Sequence, residues 1–178
     1  MRILGIDPGL ARTGWSVVES EPGRDPRLEG SGLIETPSDS PLQDRLCDIH
    51  RRLSGVLSEH RPGEVAAEEL FFLKASPSVR GTLEARGVIL LACAHAGLEV
   101  HPYDPRTVKA SLTGSGASGK AQVQRMVQRV LRLAEPLSPD DVADAAAIAL
   151  CHARMGRLGG LKVVDRIGGG RSPRGDAA

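Results

Sequence analysis

The chain has 178 residues, 40% of them hydrophobic, 25% charged and 2% aromatic, with a formal charge of +1. That length suits one compact domain, and the apolar share excludes a disordered chain. No apolar run approaches the roughly 18–20 residues of a membrane span, and Met1–Asp7 is too short for a secretory leader, so a cytoplasmic protein without a membrane anchor is expected. Cys47, Cys93 and Cys151 are odd in number, far apart and outside any CxxC spacing, which argues for a reducing compartment and against a zinc site.

In chain order, Met1–Ile6 is a short apolar strand ending at Asp7 and the turn pair Pro8-Gly9. Thr13–Glu19 and Leu28–Glu35 are the next strands, so three strands joined by turns begin an antiparallel meander. Ser40-Pro41-Leu42-Gln43 reads as a capping box with Ser40 as N-cap, and Leu42, Leu46, Ile49, Leu53 and Val56 follow at helical spacing until Pro62-Gly63. Glu64–Glu69 is a short fourth strand, Ser78–Ala96 a long helix and Leu98–Tyr103 a fifth strand. The stretch Gly87–Ala94 is apolar all round, which fits either a central core helix or a contact between two copies of the chain.

Thr107–Leu112 predicts a short helix and 118–133 a longer one, on which Arg125, Arg129 and Arg132 share a face at i, i+4, i+7. Ser138-Pro139-Asp140-Asp141 reads as a second capping box opening an alanine-rich helix to about Met155. From Gly156 the glycine-rich basic sequence loses periodicity. The expected organisation is therefore a domain over 1–156 and a mobile basic tail over 157–178. Helical crossovers to strands four and five imply parallel pairing there. The expected fold class is α/β, a five-stranded mixed sheet with three antiparallel strands, then parallel strands, and helices on both faces.

Charge is unevenly placed. Residues 1–105 carry 11 Lys/Arg and 16 Asp/Glu, whereas 106–134 carry six basic residues and no acid. Such a stripe attracts phosphate whatever the average charge, although alone it fits a solvated helix face equally well. Beside it stand four carboxylates in unusual places. Asp7 ends an apolar strand, Glu68 follows Val65-Ala66-Ala67, and Asp141 and Asp144 lie three apart on a helix of small residues. Each has a plain alternative: an Asx turn, an exposed strand position, a capping acid, a surface ion pair. Together, converging carboxylates repel one another, and hard divalent cations normally hold such clusters. Oxygen-only ligands favour Mg²⁺ or Mn²⁺, and two ions ~4 Å apart would suit an in-line phosphodiester displacement.

Gly5-Ile6-Asp7-Pro8-Gly9 with Thr13-Gly14, Ala67-Glu68-Glu69 followed by Phe71, and Asp141-Val142-Ala143-Asp144-Ala145 resemble the bacterial RuvC-type Holliday-junction resolvases of the ribonuclease H-like superfamily. The resemblance runs from Arg2 to about Arg154. It implies a ribonuclease H-like fold, with Asp7, Glu68, Asp141 and Asp144 as catalytic, metal-binding acids; Asp141 occupies a position where the family varies between Asp and His. Glu69 and Asp140 are expected to point away from the site, by strand alternation and by a 100° helical step. The resemblance further implies symmetric nicking of four-way junction DNA, leaving 5′-phosphate and 3′-hydroxyl ends, by a homodimer that works with a RuvA–RuvB branch-migration complex. Phe71, Lys74, Lys109, Lys120 and Arg125 are the expected DNA-contacting residues, Phe71 by stacking on an unpaired base at the junction centre and Phe72 as a core neighbour. Three other readings compete. An actin-like ATPase would need a longer chain and a second phosphate loop. A ribonuclease H on RNA–DNA hybrids would use the same acids, and a non-catalytic junction binder would lack them.

Overall fold

The computed structural model describes residues 1–69 and 77–165, with side chains described for all of these except 77–78 and 157–165. Five strands form one sheet: β1 (Arg2–Asp7), β2 (Arg12–Glu19), β3 (Arg27–Glu35), β4 (Glu64–Glu68) and β5 (Val100–Tyr103). Their order is β3-β2-β1-β4-β5. β1–β2 and β2–β3 pair antiparallel, while β1–β4 and β4–β5 pair parallel. The expected mixed sheet is thus the observed one.

Strand alternation sorts the sheet into two faces. Leu4, Ile6, Val17, Val65 and Ala67 point to one side, where they pack against α1 (Leu42–His60) and α2 (Pro77–His95) through Ile49, Leu53, Leu57, Ala85 and Ile89. Ile3, Val18 and Ala66 point to the other, which is covered by α3 (Pro105–Thr113), α4 (Lys120–Val130) and α5 (Asp140–Asp165). On this second face the contact is backbone-close. A Cβ built on Gly5 would lie 2.0 Å from the Ala145 carbonyl oxygen, and one on Gly14 would lie 2.1 Å from that of Asp141. The Ser16 hydroxyl donates to the Val142 carbonyl at 2.9 Å. Further along α5, the buried ring of His152 lies 2.6 Å from a Glu64 carboxylate oxygen at Nε2 and 2.8 Å from the Tyr103 hydroxyl at Nδ1. These contacts lock α5 onto β1, β2, β4 and β5.

Several boundaries differ from expectation. Neither anticipated capping box forms as read. In α1 the N-cap is Pro41, with no side-chain cap; the Pro41 carbonyl itself accepts from the Asp44 and Arg45 amides. In α5 the helix opens at Asp140, with the Val142 amide donating to the Pro139 carbonyl. A proline whose carbonyl already accepts the first helical bonds displaces the preceding serine by one position. α3 starts at Pro105 because the Asp104 carboxylate accepts from the Arg106 amide, and it stops at Gly114 in the left-handed region.

α4 ends at Val130, not 133. Arg132 takes a left-handed φ of 53° and pairs with Asp25, so it leaves the stripe that Arg125 and Arg129 share. α5 runs to Asp165, beyond the expected end near Met155 and into the segment expected to be an aperiodic tail. Once a helix is nucleated, propagation tolerates glycines at about 1 kcal/mol each. No helix among the described residues is long and apolar enough to cross a membrane.

Candidate active site

Asp7 is the last residue of β1 and Glu68 the last of β4. Ile6 pairs with Ala67 in parallel register, which sets Asp7 and Glu68 beside each other at the same sheet end. Both occupy positions that alternate onto the α5 face. Gly14, paired with Asp7 across the antiparallel ladder, has no side chain, and α5 closes over it at Asp141. Asp141 and Asp144, three residues apart in the first turns of α5, therefore arrive above the strand ends carrying Asp7 and Glu68. The small residues around them are the reason for this proximity: Gly5 lies under Ala145 and Ala149, and Gly14 under Asp141.

The electrostatics express the convergence. Asp7 is pushed up to about 8, first by burial and then by the negative charges of Glu68, Asp144 and Asp141. Glu68 is raised by burial and by Asp144, against the opposing charge of Lys109. Asp144 is also raised by burial, although a hydrogen bond from Lys120 works in the opposite direction. Asp7 thus feels the charges of the other three acids read from the sequence.

Two cations sit on this group. Arg12 Nη2 lies 2.7 Å from Asp141 Oδ2, and Lys120 Nζ lies 3.2 Å from Asp144 Oδ2 and 3.1 Å from Asp140 Oδ2. Burial alone would lower Lys120, but its hydrogen bonds to Asp140 and Asp144 outweigh that and raise it. Asp140, exposed, is held below the usual carboxylate range by the hydrogen bonds it accepts from Lys120 and from Gln124 Nε2, the latter at 2.7 Å. Asp140, expected to miss the site, shares Lys120 with Asp144. Arg12 was not anticipated at all; its link to Asp141 spans most of the chain and leaves no local pattern.

Glu68, Asp144, Lys109 and Lys120 line a cleft of about 230 Å³ floored by Val108, Val123 and Ile148. Lys109 and Lys120 thus line the same cleft as Glu68 and Asp144, whereas Arg125 is exposed on α4 and does not line it. Phe71, Phe72 and Lys74 lie outside the described residues. Glu69 continues the chain past β4, its amide donating to the Tyr103 carbonyl at 2.8 Å.

Among the described residues no three His, Cys, Asp or Glu side chains are drawn together as a ready-made metal site. The ion pairs of Lys120 and Arg12 hold the α5 carboxylates instead. The donor chemistry nonetheless suits a hard divalent cation. All four candidates are carboxylates, and their mutual repulsion, visible in Asp7, is what a cation would relieve.

A family profile described as crossover junction endodeoxyribonuclease RuvC matches residues 3–152. The chain belongs to the RuvC family. The crossover junction endodeoxyribonuclease RuvC of Salinispora arenicola is 47% identical over 96% of this chain and 100% of that protein. The RuvC of Caldicellulosiruptor saccharolyticus is 45% identical over 85% of this chain and 92% of its own. Thermus thermophilus RuvC, solved in complex with a Holliday junction substrate, superposes with a TM-score of 0.85 at 38% identity, over 89% of this chain and 96% of that one. The yeast mitochondrial Holliday junction resolvase Ydc2 has the same fold, with a TM-score of 0.67 at 13% identity, covering 93% of this chain and 83% of that one. The ribonuclease H-like sheet expected from the motifs is therefore the sheet of RuvC structures.

Proposed function

We propose that the chain is a structure-selective endonuclease that resolves four-way DNA junctions by nicking two strands of like polarity. Membership of the RuvC family supports the substrate, and the convergence of Asp7, Glu68, Asp141 and Asp144 beside a cleft with Lys109 and Lys120 supports the chemistry. On this reading those four acids hold the metal. Bound between them, Mg²⁺ or Mn²⁺, two ions per site, would polarise a water and stabilise the leaving oxygen of an in-line displacement. Water adds to phosphorus as the bond to the 3′-oxygen breaks, leaving a 5′-phosphate and a 3′-hydroxyl. Lys109 and Lys120 neutralise the phosphate entering the cleft, and Arg12 orients Asp141. Asp7, raised first by burial and then by the charges of its neighbours, must give up its proton for the site to bind a cation at neutral pH. Phe71, Lys74 and Arg125 complete the proposed DNA-contacting set.

Residues 1–156 are read as the nuclease domain and 157–178 as an appended basic segment. A homodimer presents two equivalent sites to a two-fold junction. Its contact is assigned to the outer side of α2, where Leu83, Leu90 and Leu91 are 42%, 37% and 49% exposed while Ala85, Ile89, Ala92 and Cys93 face the core. Leu90→Glu is expected to give a monomer that melts like the parent in size-exclusion and thermal denaturation; an unchanged dimer refutes the assignment. Cooperation with a RuvA–RuvB branch-migration complex is part of the same reading.

The deciding experiment incubates the protein with a labelled four-way junction, a linear duplex and an RNA–DNA hybrid, each with and without Mg²⁺ or Mn²⁺, beside an Asp7→Asn variant. Paired symmetric nicks in the junction alone, lost in the variant, are the expected result. Cleavage of the hybrid instead would keep the chemistry and move the substrate, and binding without cleavage in either metal would refute the catalytic reading.

A further inference from the structure

A second cleft, of about 520 Å³, opens between α4, α5 and the turn joining β2 to β3. It lies at the opposite end of the sheet from the acids. Ser20, on its wall, follows the end of β2, whereas Asp7 pairs with Gly14 near the start of that strand. Four arginines, Arg24, Arg129, Arg132 and Arg154, surround it, and Asp25 is the one carboxylate among its lining residues. Arg24 is paired with Glu21 at 2.9 Å and Arg132 with Asp25. The other two have no carboxylate partner among the described residues. Half-buried Arg154 is fixed by donating to the Ser111 carbonyl, and Arg129 stands exposed on α4. Both side chains line one cleft, and an anion bound there would gain the attraction of both.

The helix beneath them gives the anion a source. α4 begins with Lys120 at the acid cleft and carries Arg125 and then Arg129, four residues apart and on one side, before reaching the second cleft. Lys120 to Arg129 is nine residues, or about 13 Å of helix rise, enough to separate two phosphates that lie a few positions apart on one DNA strand. The acid-free window read from the sequence thus supplies a cation to each of the two clefts.

We propose that the arginine cleft of Arg129 and Arg154 is a second phosphate-binding site, which holds the backbone of the same DNA arm a few phosphates from the bond being cut. This rests on the junction-cleaving reading above. It assigns the cleft to affinity and register and not to chemistry, so its loss should raise KM and leave kcat unchanged.

Arg129→Ala, whose side chain has no ion pair to lose among the described residues, is compared with the parent on intact junctions and on junctions carrying single uncharged methylphosphonates at successive positions on both sides of the cut. The parent should lose affinity when one phosphate a few positions from the cut is neutral, and Arg129→Ala should be insensitive at that position. The variant should bind the unmodified junction roughly three- to tenfold more weakly, with a slope of log affinity against log salt reduced by about one. Arg129→Lys should recover part of the affinity. An affinity, salt slope and methylphosphonate profile equal to those of the parent would overturn the proposal. So would Arg129-dependent binding of inorganic phosphate without any effect on junction binding, because the anion would then be a free one. If the parent fails to cut junctions at all, the functional reading fails separately; the binding comparison still reads out in an Asp7→Asn background.

Discussion

The two faces of the sheet are built on different principles. Beneath α1 and α2 the core is branched and aliphatic: Leu4, Ile6, Val17, Ile34, Ile49, Leu53 and Ile89 are 0–1% exposed and interdigitate as side chains. Beneath α5 the contact is made by glycine, alanine and backbone carbonyls. The first kind of packing absorbs a lost methylene locally. The second fixes the distance between a helix and a sheet, and the acids depend on that distance. A protein that must hold carboxylates against their own repulsion places them where backbone geometry, not side-chain filling, sets the spacing.

Asp7→Asn tests the electrostatic half of this contrast and carries the largest expected effect. Metal-dependent cleavage should fall to background, while the metal-free protein becomes more stable. In the unfolded chain the Asp7 carboxyl ionises near its ordinary value of 3.8; in the folded protein it does so at about 8. The raised value means that Asp7 favours folding fully only below its unfolded value, and that this contribution is lost as pH rises towards 8. Asparagine never ionises. Melting curves in chelator should therefore coincide near pH 4 and separate increasingly up to pH 8, with the variant higher. Equal melting temperatures across that range would show that Asp7 is not strained by its neighbours.

Gly14→Ala tests the geometric half. The added Cβ would lie 2.1 Å from the Asp141 carbonyl oxygen, which is backbone and cannot swing aside. The start of α5 must move, and a displacement of about 1 Å at a catalytic group costs on the order of 10²-fold in rate. Steady-state cleavage of a junction at saturating Mg²⁺ checks this; a variant within a few-fold of the parent would mean that α5 can shift without moving the acids. On the other face, Leu53→Ala should cost about 2–5 kcal/mol in denaturant unfolding, while the cleavage rate per folded molecule stays as in the parent.

The same contrast explains what was legible in the sequence. Strand alternation and helical spacing are local, so the five strands, their order of appearance and the four acids could be read from neighbouring residues. The small residues of β1, β2 and α5 were visible as composition, although which glycine lies under which alanine depends on register. Arg12 at Asp141 and Lys120 between Asp140 and Asp144 were not legible, because those pairs join different elements and follow no periodicity. Asp140 shows the limit most clearly. Its 100° offset from Asp141 gives no sign of the link that the long stem of Lys120 makes from it to Asp144. Arg132 shows another: its spacing from Arg125 and Arg129 is helical, but the helix has already ended and the residue is left-handed.

The smallest effect separates the faces at adjacent residues. Ser16 and Val17 are both buried on β2 and point to opposite sides. Val17→Ala removes apolar contact among Leu4, Ile6 and Ile34 and should cost roughly 1.5–3 kcal/mol. Ser16→Ala removes one hydrogen bond to the Val142 carbonyl, which keeps its bond within α5, and should cost about 1 kcal/mol, or roughly 2–4 °C in melting temperature. Stability alone would rank Val17 as the more important residue. Cleavage at limiting Mg²⁺ should rank them the other way, because the Ser16 bond holds the turn of α5 between Asp141 and Asp144, while Val17 touches only the aliphatic core. If both variants lose activity in proportion to their stability, the two faces do not divide the work between folding and chemistry.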